Sequence, residues 1–363
     1  MKLGFQIFVL LAAVAVHCAD TYCGILDVPT TWTKDNSPYH VTGDIQISPA
    51  ARLTIEAGVT VLVATGEACG ETKQLDWSDS TSISIKAYGP LIIKGTPEEP
   101  VVFMPENHVP GKIQWDGIRL PAKNKADVII EYVRIMGANK ALNASFSNFN
   151  VGNTLFINNN TGIWMENEAD LTIYNCIFTE NLSAGVYIKN SRPSIAANIF
   201  YKNSNFGIWS DSRPSLRIQN NLFFANADTD CRFCPSGTAK ITKKDRAPSD
   251  KFGNIFSDPM FAGGEADNKM QKKDIDLKTP AKNTKDTVLS QLYEGAIAGA
   301  QDAPLQPLQP QPSPPKEPYR LSKYSPALNA APKTDFFKNN DGSQGDIGLY
   351  GGKPGRFNKP ISL

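Results

Sequence analysis

The chain has 363 residues, 41% of them hydrophobic, enough apolar surface for a substantial core in one large unit or several smaller ones. Its 37 Lys and Arg against 36 Asp and Glu leave almost no net charge. That balance excludes a nucleic-acid footprint and a polyanionic tail, and charge alone names no partner.

The N-terminus has the three-part layout of a secretory signal over residues 1–19: Lys2, an apolar run from Leu3 to Val16, and small residues at Ala13 and Ala15. A membrane-spanning helix needs about 20 apolar residues, and this run stops short of that at His17-Cys18-Ala19-Asp20. A lipid anchor at Cys18 is the alternative, but His17 stands where such signals place a small residue. The chain is therefore expected to be exported: secreted, periplasmic or on the cell surface. No later segment is apolar for long enough to span a bilayer. Export makes the thiols candidates for disulfides. Cys23 and Cys69 flank the N-terminal region, Cys231 and Cys234 form one CRFC pair, and Cys176 reads as a buried small hydrophobe. A lone C-x-x-C is weak evidence for zinc, and no metal site is expected from it.

From about residue 40 short apolar-alternating pieces recur, broken by Gly, Asn and Pro, with a longer excursion from Gly66 to Asp79. The register is clearest between residues 130 and 230. Phe156, Phe178, Phe200 and Phe223 are spaced by 22, 22 and 23 residues, and Asn159, Asn181, Asn203 and Asn226 follow the same spacings. Val133, Leu155, Ile177, Ile199 and Leu222 extend the pattern one repeat earlier, and Gly162, Gly185 and Gly207 mark the entry to the next piece. Gly117 lies two repeats before Gly162. A single coil of this size cannot bury its own apolar face. Stacking coils about 4.8 Å apart pairs each strand with its copy and fuses the interiors, which is a parallel β-helix. Like residues then stack on like: an Asn file can hydrogen-bond its own copies, and the Phe file is expected inside. No helical spacing of apolar residues is evident between Val41 and Phe224.

Beyond Asp230 the pattern fails. CRFCPSGTAKITKKDRAPSDKFGN reads as loop, and GNIFSDPMFAGG as a return to the helix. Seven prolines between Pro304 and Pro318 make an extended segment, suited to spacing an adhesin from another body. The organisation is therefore a signal over 1–19, a parallel β-helix over 20–230 and irregular loops over 231–300. A Pro/Gln-rich linker over 301–318 and a C-terminal coil and cap over 319–363 complete it.

These residues resemble a known group. LTIEAGVTV, YGPLIIKGTPEEPVVF and WDGI are similar to the opening of bacterial exported right-handed parallel β-helix proteins of the pectate-lyase-like superfamily, SRPSIAANIFYKN to their repeat, and FSDPMF, SPALNAA and GDIGLYG to their endings. The resemblance implies fold and hardly any activity, because this fold hosts lyases, hydrolases, epimerases, adhesins and inert scaffolds. Polygalacturonase-like members use clustered aspartates with Gly-His-Gly, whereas the histidines here are His17, His40 and His108, none flanked that way. Pectate-lyase-like members use Ca²⁺-binding carboxylates and an Arg base in R-x-P-x-x-R. Arg213-Pro214-Ser215-Leu216-Arg217 is one residue short of it, and Arg192-Pro193-Ser194 repeats the turn one coil earlier. No catalytic residue is assigned. No cofactor is expected, Ca²⁺ on Asp228 and Asp230 being the one ion left open.

Strand alternation turns Ile163, Met165, Val186, Ile188 and Ile208 inward and Trp164, Tyr187 and Trp209 outward, with Arg119 and Leu142 in the same column. Two readings follow. The rings form a flat strip for sugar C–H faces or cations, where polysaccharide commonly lies in the superfamily's enzymes, or residues 231–363 fold back over them as a second core. A polysaccharide or envelope glycan is the partner the first implies, with Trp164, Tyr187, Trp209 and Arg119 as its contacts. A divergent lyase or hydrolase near Arg119, Asp116 or Asp228/Asp230 is the enzymatic alternative. Asn143, Asn159 and Asn181 begin glycosylation sequons, though the last two belong to the Asn file.

Overall fold

A computed structural model describes residues 21–65, 82–121, 127–211, 216–239, 247–262, 269, 319–334, 337–339 and 343–351. The excursion at 66–79, the signal segment, the Pro-rich linker and Arg213 lie outside the described residues. Every strand within the ladders pairs in parallel, and no described helix is long and apolar enough to cross a membrane.

Each coil turns through three short strands, for example Asn150–Gly152, Leu155–Ile157 and Thr161–Glu166. Stacked, they give three ladders. Ladder 1 is an eight-stranded sheet from Thr30–Trp32 to Arg217–Gln219. A seventeen-stranded sheet supplies the other two, which share the long strand Tyr39–Ile47: its first residues pair with Thr60–Val63 and its last with Ser84–Ala87. Ladder 2 ends at Ile255–Phe256, so GNIF does rejoin the helix beneath Leu222 and Phe223. Ladder 3 runs from Thr21–Leu26 to Thr229–Arg232.

The interior is filled by files of like residues. Phe156, Phe178, Phe200 and Phe223 are fully buried, with ring centroids 4.8 to 4.9 Å apart and planes within 9° of parallel. At the N-terminal end Trp32 stacks on Tyr39 at 4.7 Å, closing the column. Cys176 is buried and free, its thiol pushed up to about 12 by burial.

Where the chain turns, amide ladders satisfy the backbone. Asn159 Nδ2 donates to Asn181 Oδ1 at 3.2 Å, Asn181 to Asn203 at 2.9 Å, and Asn203 to Asn226 at 2.8 Å. Asn226 ends the file by donating to Asp230 Oδ1 at 2.8 Å. A second ladder, absent from the sequence reading, runs Asn198, Asn221, Asn254 and ends on Asp250. Each carboxylate is a terminal acceptor that asks for no donor beyond it. Asn159 and Asn181 have no exposed surface, which removes them as glycan acceptors. The Gly185 column has its own cause: a Cβ there would meet the Gly207 carbonyl oxygen at 2.8 Å.

Counting by 22 misplaces two positions. Arg134, not Val133, shares the file of Leu155 and Ile177. Asn143, not Leu142, shares that of Arg119 and Trp164, while Leu142 stacks inside on Ile163. Strands keep register and turns absorb the difference in coil length.

Residues 319–351 do not add a coil; none of their described strands joins a ladder. They lie along the outer side of ladder 2, where Ala327, Ala331, Phe337, Ile347 and Leu349 bury the file Leu155, Ile177, Ile199, Leu222 and Ile255 in a second core. Left-handed turn residues hold them: Asn153 donates to the Leu349 carbonyl at 2.8 Å, Asn175 to that of Gly348 at 3.1 Å, and Asn220 to that of Ala330 at 3.0 Å. Asn tolerates this backbone better than most residues, and its amide remains free to grip the tail.

Asn181→Ala removes the acceptor of the Asn159 backbone and side-chain N–H groups and the amide donor to the Phe156 carbonyl, while Asn203 Oδ1 keeps the backbone N–H of residue 181. At about 1–3 kcal/mol for each buried group left unpaired, the variant should lose at least about 2 kcal/mol, read as a lower urea midpoint. Truncation after residue 318 should bare the Leu155 to Leu222 file and raise binding of an apolar dye, with the far-UV β signal retained.

Candidate functional site

Ladder 3 carries the predicted residues on its outer side. One file runs Gln46, Lys86, Arg119, Asn143, Trp164, Tyr187, Trp209, Arg232. Two residues further along each strand, a second outward file runs Ser145, Glu166, Lys189, Asp211. The same alternation that turns the aromatic residues outward turns this polar file outward, so it too was legible in the sequence.

At the top, Lys86 is buried against Asp44, Nζ to Oδ2 2.9 Å, and Ser84 donates to the other Asp44 oxygen through its amide and hydroxyl. Arg119 comes next, its Nε 2.5 Å from Oδ2 of buried Asp116, whose other oxygen accepts from Asn139. Asp116 thus joins Arg119 two coils above Trp164.

The three rings stand half-buried and one above another, and the described residues 319–351 form their core on ladder 2. Trp164 and Tyr187 have centroids 3.7 Å apart and planes 6° apart; Tyr187 and Trp209, 4.3 Å and 8°. This corrects the expectation of a flat strip. Rings at one register position on successive strands stack face to face along the axis, so their faces are spent on each other and their edges point to solvent. The end faces are also occupied: Lys140 Nζ sits 3.9 Å from the Trp164 centroid, and Phe233 meets Trp209 edge-on at 6.3 Å and 81°. An aromatic edge carries partial positive charge, so this wall favours oxygen acceptors over sugar C–H faces. Asn143 Oδ1 and Trp164 Nε1, neighbours in the file, are buried atoms with no protein hydrogen-bond partner.

Charges around the rings shift their titration. Burial pulls the Lys140 ammonium below its ordinary value, while Glu166 and Asp116 act to raise it. Burial first, then Asp211 and Glu166, push the Tyr187 phenol up.

The remaining candidates lie elsewhere or are occupied. Arg217 is on ladder 1, paired in register with Ser194, so it cannot reach a ligand on ladder 3. Asp230, its carboxyl raised by burial, caps the Asn ladder, and Asp228 lies 3.7 Å from Arg232. The two face different partners. Among the described residues no group of three or more His, Cys, Asp or Glu is placed to hold a metal. Cys231 and Cys234 are joined, and Cys23 is disulfide-bonded as well.

Three parallel ladders wound around a file-packed interior, with amide ladders at the turns, define a right-handed parallel β-helix protein. Two family models match overlapping stretches of it: the pectate-lyase like beta helix domain over residues 24–130 and the right handed beta helix region over residues 108–245. No curated protein and no solved structure matches the chain significantly.

Because burial lowers the Lys140 value in the folded state, the unfolded chain holds more protons between the folded and ordinary lysine values, and stability should rise with pH through that window. Trp fluorescence should report the deprotonation above Trp164 at a midpoint below that of an ordinary lysine. Lys140→Met should abolish both effects.

Proposed function

We propose that this chain is an exported β-helix acting as a binding or structural module, with a polysaccharide or envelope glycan lying along ladder 3. The observation that carries this reading is the pair of outward files, aromatic and polar, on ladder 3, while the described tail residues pack on ladder 2. Sugar hydroxyls are both donors and acceptors. They match the Glu166 and Asp211 carboxylates, the Lys189 ammonium and the positive rims of Trp164, Tyr187 and Trp209. Arg119 extends the face toward Asp116. Export is supported by the Lys2 to Val16 layout and by the disulfides, which persist in oxidising compartments.

A divergent lyase or hydrolase is the second reading. It is favoured by the carboxylate of Asp116 and the guanidinium of Arg119, paired in the coil above the depressed lysine Lys140, which itself sits over Trp164. Incubation with acidic and neutral glycans, with and without Ca²⁺, should then release unsaturated or reducing ends that Lys140→Met and Asp116→Asn do not; release of neither end by the unmodified chain removes this reading.

Affinity electrophoresis through gels containing polygalacturonate, xylan or β-glucan tests the binding reading. At least one polymer should retard the chain, and the Trp164→Ala/Trp209→Ala double variant should bind it on the order of tenfold more weakly, the equivalent of about 1.4 kcal/mol. Unchanged mobility in all the polymers removes glycan binding from the account.

A further inference from the structure

If the stacked trio has no free face, a pyranose ring needs another platform. Among the described residues only two aromatic side chains are exposed, Phe146 at 41% and Phe233 at 46%. Both have left-handed backbone, with φ of 50° and 55°. This conformation is a genuine outlier for a bulky side chain. Both lie where a ladder 3 strand ends: Phe146 after Lys140–Ser145, and Phe233 after Thr229–Arg232.

Their placement brackets the open face. Phe146 belongs to the coil above Trp164 and Phe233 to the coil below Trp209, so the three rings and the Glu166, Lys189, Asp211 file occupy the coils between them. Four coil steps of about 4.8 Å separate them by roughly 19 Å along the axis. Phe233 is also braced. It sits between the joined Cys231 and Cys234, the Arg232 guanidinium lies 5.1 Å from its ring centroid, and it stands edge-on to Trp209. With the Arg232 guanidinium against its ring and 46% of the residue exposed, Phe233 still presents ring surface to solvent.

We propose that Phe146 and Phe233 are two stacking platforms of the ladder 3 face, and that the bound glycan is a chain long enough to seat a sugar ring on each. This deepens the glycan reading and rests on it. The pyranose C–H faces lie on the two phenyl rings, while the sugars between them meet the polar file and the aromatic edges. Simultaneous seating at both ends makes affinity depend on chain length, since the second contact becomes intramolecular once the first is made. The Cys231–Cys234 loop is a positioning device for Phe233.

The test uses the full chain with polygalacturonate, xylan and β-glucan, with the disaccharide of each, and with long fragments of each. Where a polymer retards the unmodified chain, its long fragment should bind at least tenfold more tightly than its disaccharide. Phe146→Ala and Phe233→Ala should each weaken the long fragment by about three- to tenfold and leave melting unchanged, both side chains being exposed. The double variant should lose most of the preference for the long fragment over the disaccharide. Cys231→Ser/Cys234→Ser should weaken binding in the same sense as Phe233→Ala, and adding Phe233→Ala to it should cost little more. Retardation that survives in the phenylalanine double variant but is lost in Trp164→Ala/Trp209→Ala overturns the platforms and leaves the glycan reading standing. Absence of retardation by all the polymers overturns both.

Discussion

The structure depends on vertical repetition: a side chain at one point of a coil meets its own copy in the next. Repetition is tolerable for Phe, whose rings stack, and for Asn, whose amide is donor at one end and acceptor at the other. It would be intolerable for a buried carboxylate file, which has acceptors alone. This explains why each Asn file ends on an acid, Asp230 in one and Asp250 in the other. The turns of a β-helix are the places where backbone groups leave the strand ladders, and a buried amide without a partner costs about as much as several exposed ion pairs contribute. The Asn files let the coils close tightly without that cost.

The same repetition makes the three outer sides chemically distinct. Ladder 2 turns Leu155, Ile177, Ile199 and Leu222 outward, an apolar file that water would disfavour, and the C-terminal tail takes it up. The tail is aligned by amides of Asn153, Asn175 and Asn220, which occupy left-handed corners and so have side chains to spare for a distant segment. Arg134, at the head of that file, reaches Tyr350 of the tail. Ladder 3 turns aromatic and charged groups outward instead.

Repetition also decides what the aromatic file offers. Register puts Trp164, Tyr187 and Trp209 in van der Waals contact through their faces, each pair contributing about 0.5–1.5 kcal/mol beyond simple burial. The trio is thereby a rigid wall that holds its edge outward, and the neighbouring Glu166, Lys189 and Asp211 supply directional polar contacts. Among the described residues, the exposed aromatic side chains lie where the repetition breaks, at the strand ends that carry Phe146 and Phe233.

The sequence by itself determined the solenoid, its interior and the outward direction of the three rings. Spacings near 22 residues convert into vertical files once strands pair in parallel, and strand alternation assigns sides by parity. The second amide ladder was less legible because a gap of 33 residues separates Asn221 from Asn254, the chain having left the helix and returned. Arg134 and Asn143 were missed by one position because turn lengths vary while strand register does not. Only the tertiary structure decided which face the tail covers, since that rests on contacts such as Asn153 to Leu349, 196 residues apart. It alone also decided that stacked rings show edges to solvent: the plane of a side chain is set by the neighbour it packs against, and a spacing along the chain carries no information about that plane.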